Sequence, residues 1–184
     1  MGIVACHREI RSGNEYYRYP NNYELRYTAL GPIAHGGQGT LFFLFEGGWD
    51  SGGTNEYQAV YENSTQRTYV TNAITRMNQV TGYLAGYTYQ AYAHSNNLPG
   101  SWSLDSISSG DPSNPLNILE VCHWTGPDGE DVYALCNRDP SNPKFVTANF
   151  DGTYLVYYNG VSKGSRSSLQ FALDRADVTV LRLE

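Results

Sequence analysis

Charge is scarce in this sequence. Charged residues make up 16% of its 184 positions, against about a quarter in an ordinary globular domain, and the balance is acidic, with a formal net charge of −6. No basic run offers a face to a phosphate backbone or an anionic bilayer, so neither nucleic acid nor a membrane surface is expected as the main partner. Long hydrophobic runs are missing too: none reaches the roughly 18 residues of a membrane span, and no membrane insertion is expected. The opening MGIVACHREI is too short and too soon charged for a secretory leader. A cytoplasmic protein is the default expectation, and a secreted one if Met1 is an expression start on a trimmed mature chain.

Cysteine is sparse: Cys6, Cys122 and Cys136 are three, an odd number without close metal spacing. A reduced protein without metal or cofactor is expected, with one disulfide plus a spare thiol left open. Catalytic signatures are also lacking. No Gly-x-Ser-x-Gly elbow occurs, and His35 and His94 fall in expected loops without a Ser or Cys that the sequence can place beside their rings. Gly36-Gly37-Gln38-Gly39 lacks the lysine of a phosphate loop and precedes a strand pattern. Carboxylates are plentiful, so paired acids for glycosidic cleavage stay open, but a non-enzyme is the expectation.

What the chain does contain is glycine, 19 residues, and tyrosine, 16 residues, which point to turns and to strands carrying amphipathic rings. This is an all-β profile, and the length suits a single domain over 1–184. The clearest pattern is KFVTANFDGTYLVYYNG, from Lys144 to Gly160. Its alternation on both sides of Asp151-Gly152 predicts strand, tight turn, strand. Tyr69-Val70-Thr71-Asn72-Ala73 echoes Phe145-Val146-Thr147-Ala148-Asn149 and is read as the same strand in an earlier repeat.

In chain order, the pattern predicts short strands at Ile3–Glu9, Glu15–Tyr19 and Tyr23–Ala29, and a strand buried on both faces at Thr40–Glu46. Strands at Glu56–Glu62 and Arg67–Ala73 follow, then a short helical turn near 72–80 and a strand from about 83 to 93. Ser101–Leu104, Asn117–Trp124, Val132–Cys136, Ser168–Leu173 and Asp177–Leu183 complete the set. These group into three units, about 1–52, 53–125 and 126–184, none able to bury its own apolar face alone.

The third unit, with Lys144-Phe145-Val146-Thr147-Ala148, Asn149-Phe150-Asp151-Gly152 and Gln170-Phe171-Ala172-Leu173, resembles the ricin-B-like and fascin-like lectin-type members of the β-trefoil superfamily. That resemblance implies a β-trefoil of three four-stranded units. No Gln-x-Trp triplet marks all three units, and a small β-propeller or an up-and-down barrel is the other architecture.

Two loops pair tryptophan with carboxylates: Trp49 and Asp50, with Asn55 beyond, and Trp124 with Asp128 and Asp131. An aromatic ring stacks on the C–H face of a pyranose while carboxylates and amides take its hydroxyls. The other reading is that the tryptophans are packing residues and the aspartates turn formers. Cys6-His7 and Cys122-His123 could supply zinc ligands, but strand neighbours point to opposite faces, so a core cysteine beside an outward histidine is expected instead. The expected function is a non-catalytic carbohydrate-binding lectin with shallow sites, whose partners are glycans or glycoproteins, with a homodimer as an allowed assembly. The alternatives are a protease inhibitor working through loops Asp105–Pro115 or Asn137–Pro143, and an intracellular protein-interaction module.

Overall fold

The computed structural model describes residues 2–5, 8–43, 48–49, 55–58, 63–95, 97–108 and 118–184. In chain order these form β1 (Gly2–Ala5), β2 (Arg8–Arg11), β3 (Asn14–Tyr17), α1 (Asn22–Ala34), β4 (Thr40–Phe43), β5 (Gly48–Trp49), β6 (Asn55–Gln58), α2 (Ser64–Leu84), β7 (Thr88–His94), β8 (Ser103–Ser108), β9 (Leu119–Thr125), β10 (Asp131–Asn137), β11 (Lys144–Tyr158), β12 (Val161–Leu173) and β13 (Val178–Leu183). Strand predominates, as the composition predicts. The largest sheet has seven strands in the order β12-β11-β13-β10-β9-β7, with β8 added to β11. A four-stranded sheet runs β3-β2-β6-β5, and β1 pairs in parallel with β4 across the α1 crossover. No barrel closes among the described strands.

The centre of the large sheet is apolar on both faces, which is why its strands read as nearly continuous hydrophobic runs. Cys122, Trp124, Val132, Ala134, Cys136, Val178 and Val180 face the helices and meet Leu30, Ile33, Ala34, Val80 and Leu84. Leu119, Val121, Tyr133, Leu135, Leu181 and Leu183 face the other way and pack with Trp102, Val146, Ala148, Phe150, Val156 and Leu173. Strand β11 makes this second layer: its first half pairs with β8 and its last residues with β13, while β12 follows it along most of its length.

Two expected strands are helices. Asn21 caps α1 by accepting from the Tyr23 and Glu24 backbone amides, and Glu24 returns a bond to the Asn21 amide. This capping box starts a helix where alternation alone reads Tyr23–Ala29 as strand. Asn63 caps α2 in the same way through the Gln66 amide. Val70, Ala73, Val80 and Leu84 are the buried apolar positions of α2, with Met77 packed beside them, a spacing that follows the helical period over about four turns. The echo at Tyr69–Ala73 covers too few residues to compete. With helices inside the first two units, three equivalent four-stranded units do not emerge, whereas the strands expected in the third unit are all present.

The hairpin turn is also displaced. Strand β11 continues through Asp151-Gly152, with a register irregularity between Asn149 and Tyr154. The chain reverses at Asn159-Gly160, where φ is 48° and 75°. Asn-Gly satisfies a two-residue loop with both φ values positive, the geometry that matches strand twist. Asp151-Gly152 instead absorbs an irregularity inside the strand.

Candidate functional site: an acidic cleft beside Tyr154

The turn before β10 builds one wall of a cleft. Gly129 N–H bonds to the Gly126 carbonyl at 3.1 Å, and Gly126 N–H to the Glu130 carbonyl at 2.9 Å. The Glu130 side chain curls back to accept from the Asp128 amide at 3.1 Å. It lies so close over Gly126 that a Cβ there would fall within 2.1 Å of it. Asp131 opens β10 directly across from Leu183, and Tyr154 arrives from β11. Asp128, Gly129, Glu130, Asp131, Tyr154, Leu183 and Glu184 together line an open cleft of about 550 Å³.

Second contacts fix the key groups. The Tyr154 hydroxyl donates to Asp151 Oδ1 at 2.7 Å, which raises the Tyr154 pKa. The Ser101 hydroxyl, then Tyr154, hold the Asp151 carboxyl below its ordinary value. His123 Nε2 lies 2.7 Å from Asp131 Oδ1, and its ring stacks on Tyr133 at 5.0 Å between centroids and 16° between planes. The result is an aromatic ring and several carboxylate acceptors held around one open hollow, a combination that can take the C–H face and the hydroxyls of a polyhydroxylated ring.

Of the expected site residues, Asp128 and Asp131 come together here and Trp124 does not. Strand alternation carries Trp124 to the helix-covered face, where it is 8% exposed. Its Nε1–H donates to the Ala34 carbonyl at 3.0 Å, and its ring meets Tyr89 edge-on at 5.6 Å. Trp124 is a packing residue, and Tyr154 supplies the ring that was expected from it. Trp49 lies in β5 and Asn55 begins β6; their side chains, and Asp50 altogether, fall outside the described residues, as do Cys6 and His7. The sequence reading missed Tyr154, Glu130 and Glu184. The signal for Tyr154 was its place three residues after Asp151, within bonding reach along an irregular strand.

A second polar cluster lies under the helices. Glu120, 6% exposed, accepts from the Tyr27 hydroxyl at 3.3 Å and pairs with Arg138 at 3.2 Å, with His35 Nε2 at 3.8 Å. His35 also bonds the Gly31 carbonyl through Nδ1 at 2.8 Å. Cys122 and Cys136 are free thiols, fully buried. The Cys136 thiol and the His35 imidazole pull the Cys122 thiol down to about 6, and Cys122 in turn raises His35 to about 9. Cys136 moves up, because Cys122 and burial both oppose a second thiolate. Both shifts favour the charged forms of Cys122 and His35 on the helix-covered side, while the neighbouring His123 faces the other side, as alternation requires. No family model, curated protein or solved structure matches the chain.

Proposed function

We propose that this protein is a non-catalytic carbohydrate-recognition module that holds its ligand in the cleft between the Asp128–Asp131 turn and Tyr154. The observation that carries the reading is the joint lining of one hollow of about 550 Å³ by the Tyr154 ring and the carboxylates of Asp128, Glu130 and Asp131. The ring packs on a sugar's C–H face and the carboxylates accept from its hydroxyls, each such bond to a charged acceptor contributing about 1.5–3 kcal/mol. Tyr154 is anchored by Asp151 before any ligand arrives, so little side-chain freedom is lost on binding. A glycan array probed with the labelled chain should show selective binding that falls about tenfold or more in Tyr154→Ala and in Asp131→Asn. Unchanged binding in both variants refutes the cleft.

A protease inhibitor is the second reading, favoured by the loop after β10. Asp139, 3% exposed, accepts from the Ser141 and Asn142 amides at 2.7 and 3.2 Å and from the Asn142 side chain at 2.9 Å. Lys144 stands 3.7 Å away. This fixes the exposed Ser141-Asn142-Pro143 tip in one shape, the pre-organisation that a cleft-filling loop needs. No inhibition of a panel of serine and cysteine proteases at micromolar protein removes it.

A further inference from the structure

Behind the cleft, on the helix-covered side of the sheet, lies a smaller hollow of about 200 Å³, walled by Tyr83, Tyr87, Tyr157, Gly160 and Arg182. The two hollows meet at one ion pair. Glu184 lines the cleft and Arg182 lines the pocket, and Arg182 Nε lies 3.0 Å from Glu184 Oε1. Glu184 directly follows Leu183, the last residue of β13, so the pair stands at the end of that strand, where the cleft and the pocket adjoin. We infer that the tyrosine pocket is a second subsite of the same groove, and that the ligand is a neutral oligosaccharide that spans both hollows across the Arg182–Glu184 pair. This rests on the carbohydrate reading of the cleft.

The pocket is organised before any ligand enters. The Arg182 guanidinium lies over the Tyr157 ring at 3.9 Å and donates to the Tyr87 hydroxyl at 2.8 Å, so one cation fixes two of the three rings. The third, Tyr83, rests against the backbone of Gly160: a Cβ there would come within 3.1 Å of the ring. The hairpin turn thus needs glycine at this position twice over, for φ of 75° and for the ring's place. The three rings and the Arg182 guanidinium wall one hollow and place apolar and hydrogen-bonding groups side by side, the combination a pyranose uses.

The charges select a neutral ligand. Around the two hollows stand the carboxylates of Asp128, Glu130, Asp131 and Glu184 against Arg182, the single lining cation among the described residues, which Glu184 already pairs. A uronic acid or sulfated sugar would bring its own charge into this field and be repelled.

The test is calorimetric titration of the chain with neutral cello-, xylo- and manno-oligosaccharides from monomer to hexamer, and with an oligogalacturonate series. Affinity should rise at least about tenfold with length in one neutral series, the gain expected of one further ring contact, and oligogalacturonates should not bind. Gly82→Phe is the blocking variant, because a Cβ at Gly82 meets nothing within 4 Å and glycine is already the poorer residue in a helix. Its side chain should fill the pocket and cancel the length gain while monomer affinity stays. Tyr157→Ala should do the same by removing the stacked ring. A neutral series with no length gain, or a gain that survives Gly82→Phe, overturns the second subsite and leaves the cleft standing. Absence of binding at every length overturns both.

Discussion

Glu120 with His35 on the helix-covered side, and Asp131 with His123 at the open end of the strands, are two carboxylate–histidine pairs on one sheet. Water separates their uses. Around Glu120 the acceptors are saturated by Tyr27, Arg138 and His35, so the group holds α1, β9 and β10 together and has little left for a ligand. Asp131 is half open to solvent beside its histidine, and Asp128 and Glu130 line the same hollow. The same division separates the aromatic rings: Trp124 is spent on Ala34 and Tyr89, while Tyr154, held by Asp151 through its hydroxyl and packed edge-on to Phe150, also lines the cleft.

The largest expected effect is on the buried side. Glu120→Ala leaves the Tyr27 hydroxyl without its partner and removes the buried carboxylate from the partly exposed Arg138 and His35, and should cost about 1–3 kcal/mol, the usual loss when a buried polar partner is removed. Denaturant unfolding measures it. Sugar affinity per folded molecule should not change, because no cleft residue touches Glu120. A loss under about 1 kcal/mol would erase the contrast, since that is what an exposed pair contributes.

The thiolate sharpens the contrast through pH. His35, raised from 6.5 to about 9, adds stability that is complete below 6.5 and lost as pH rises through 9. Cys122, lowered from 9.0 to about 6, adds stability that is complete above 9.0 and lost as pH falls through 6. Between 6.5 and 9 the two slopes oppose, so stability should be nearly flat there. The thiolate itself should show as ultraviolet absorbance at neutral pH in the folded chain. It should disappear on unfolding and in Cys122→Ala, and require higher pH in His35→Ala. A folded protein without thiolate absorbance until pH 9 breaks the pairing.

Smallest in stability is His123→Ala. The Asp131 carboxylate it faces is already wet, so unfolding free energy should shift by about 1 kcal/mol or less. If thermal denaturation shows a loss as large as that of Glu120→Ala, the open pair is structural as well.

The predominance of strand, the third unit's strands and the two aspartates of the cleft were legible because alternation and turn residues are local signals. Opposite facing of Cys122 and His123 followed from strand geometry alone. The helices were not read because Asn21 and Asn63 serve equally as turn formers and as caps, and only the spacing over the whole of α2 distinguishes the two. Trp124 was assigned to the cleft by its closeness in sequence to Asp128, yet one step of alternation puts it on the opposite face. The tyrosine pocket draws on α2, β11 and β13, which are far apart in the chain, and no local pattern joins them.

The β1–β4 pair differs from every other ladder among the described residues by running parallel, with β2, β3 and α1 in the connection between its strands. Parallel neighbours cannot be joined by a tight turn, so any strand added beside this pair in the same direction would come with a long connection of its own, most simply a helix packed alongside α1. Widening of that kind would extend the carboxyl-end rim of β1 and β4, and in open α/β sheets that rim is where ligands gather.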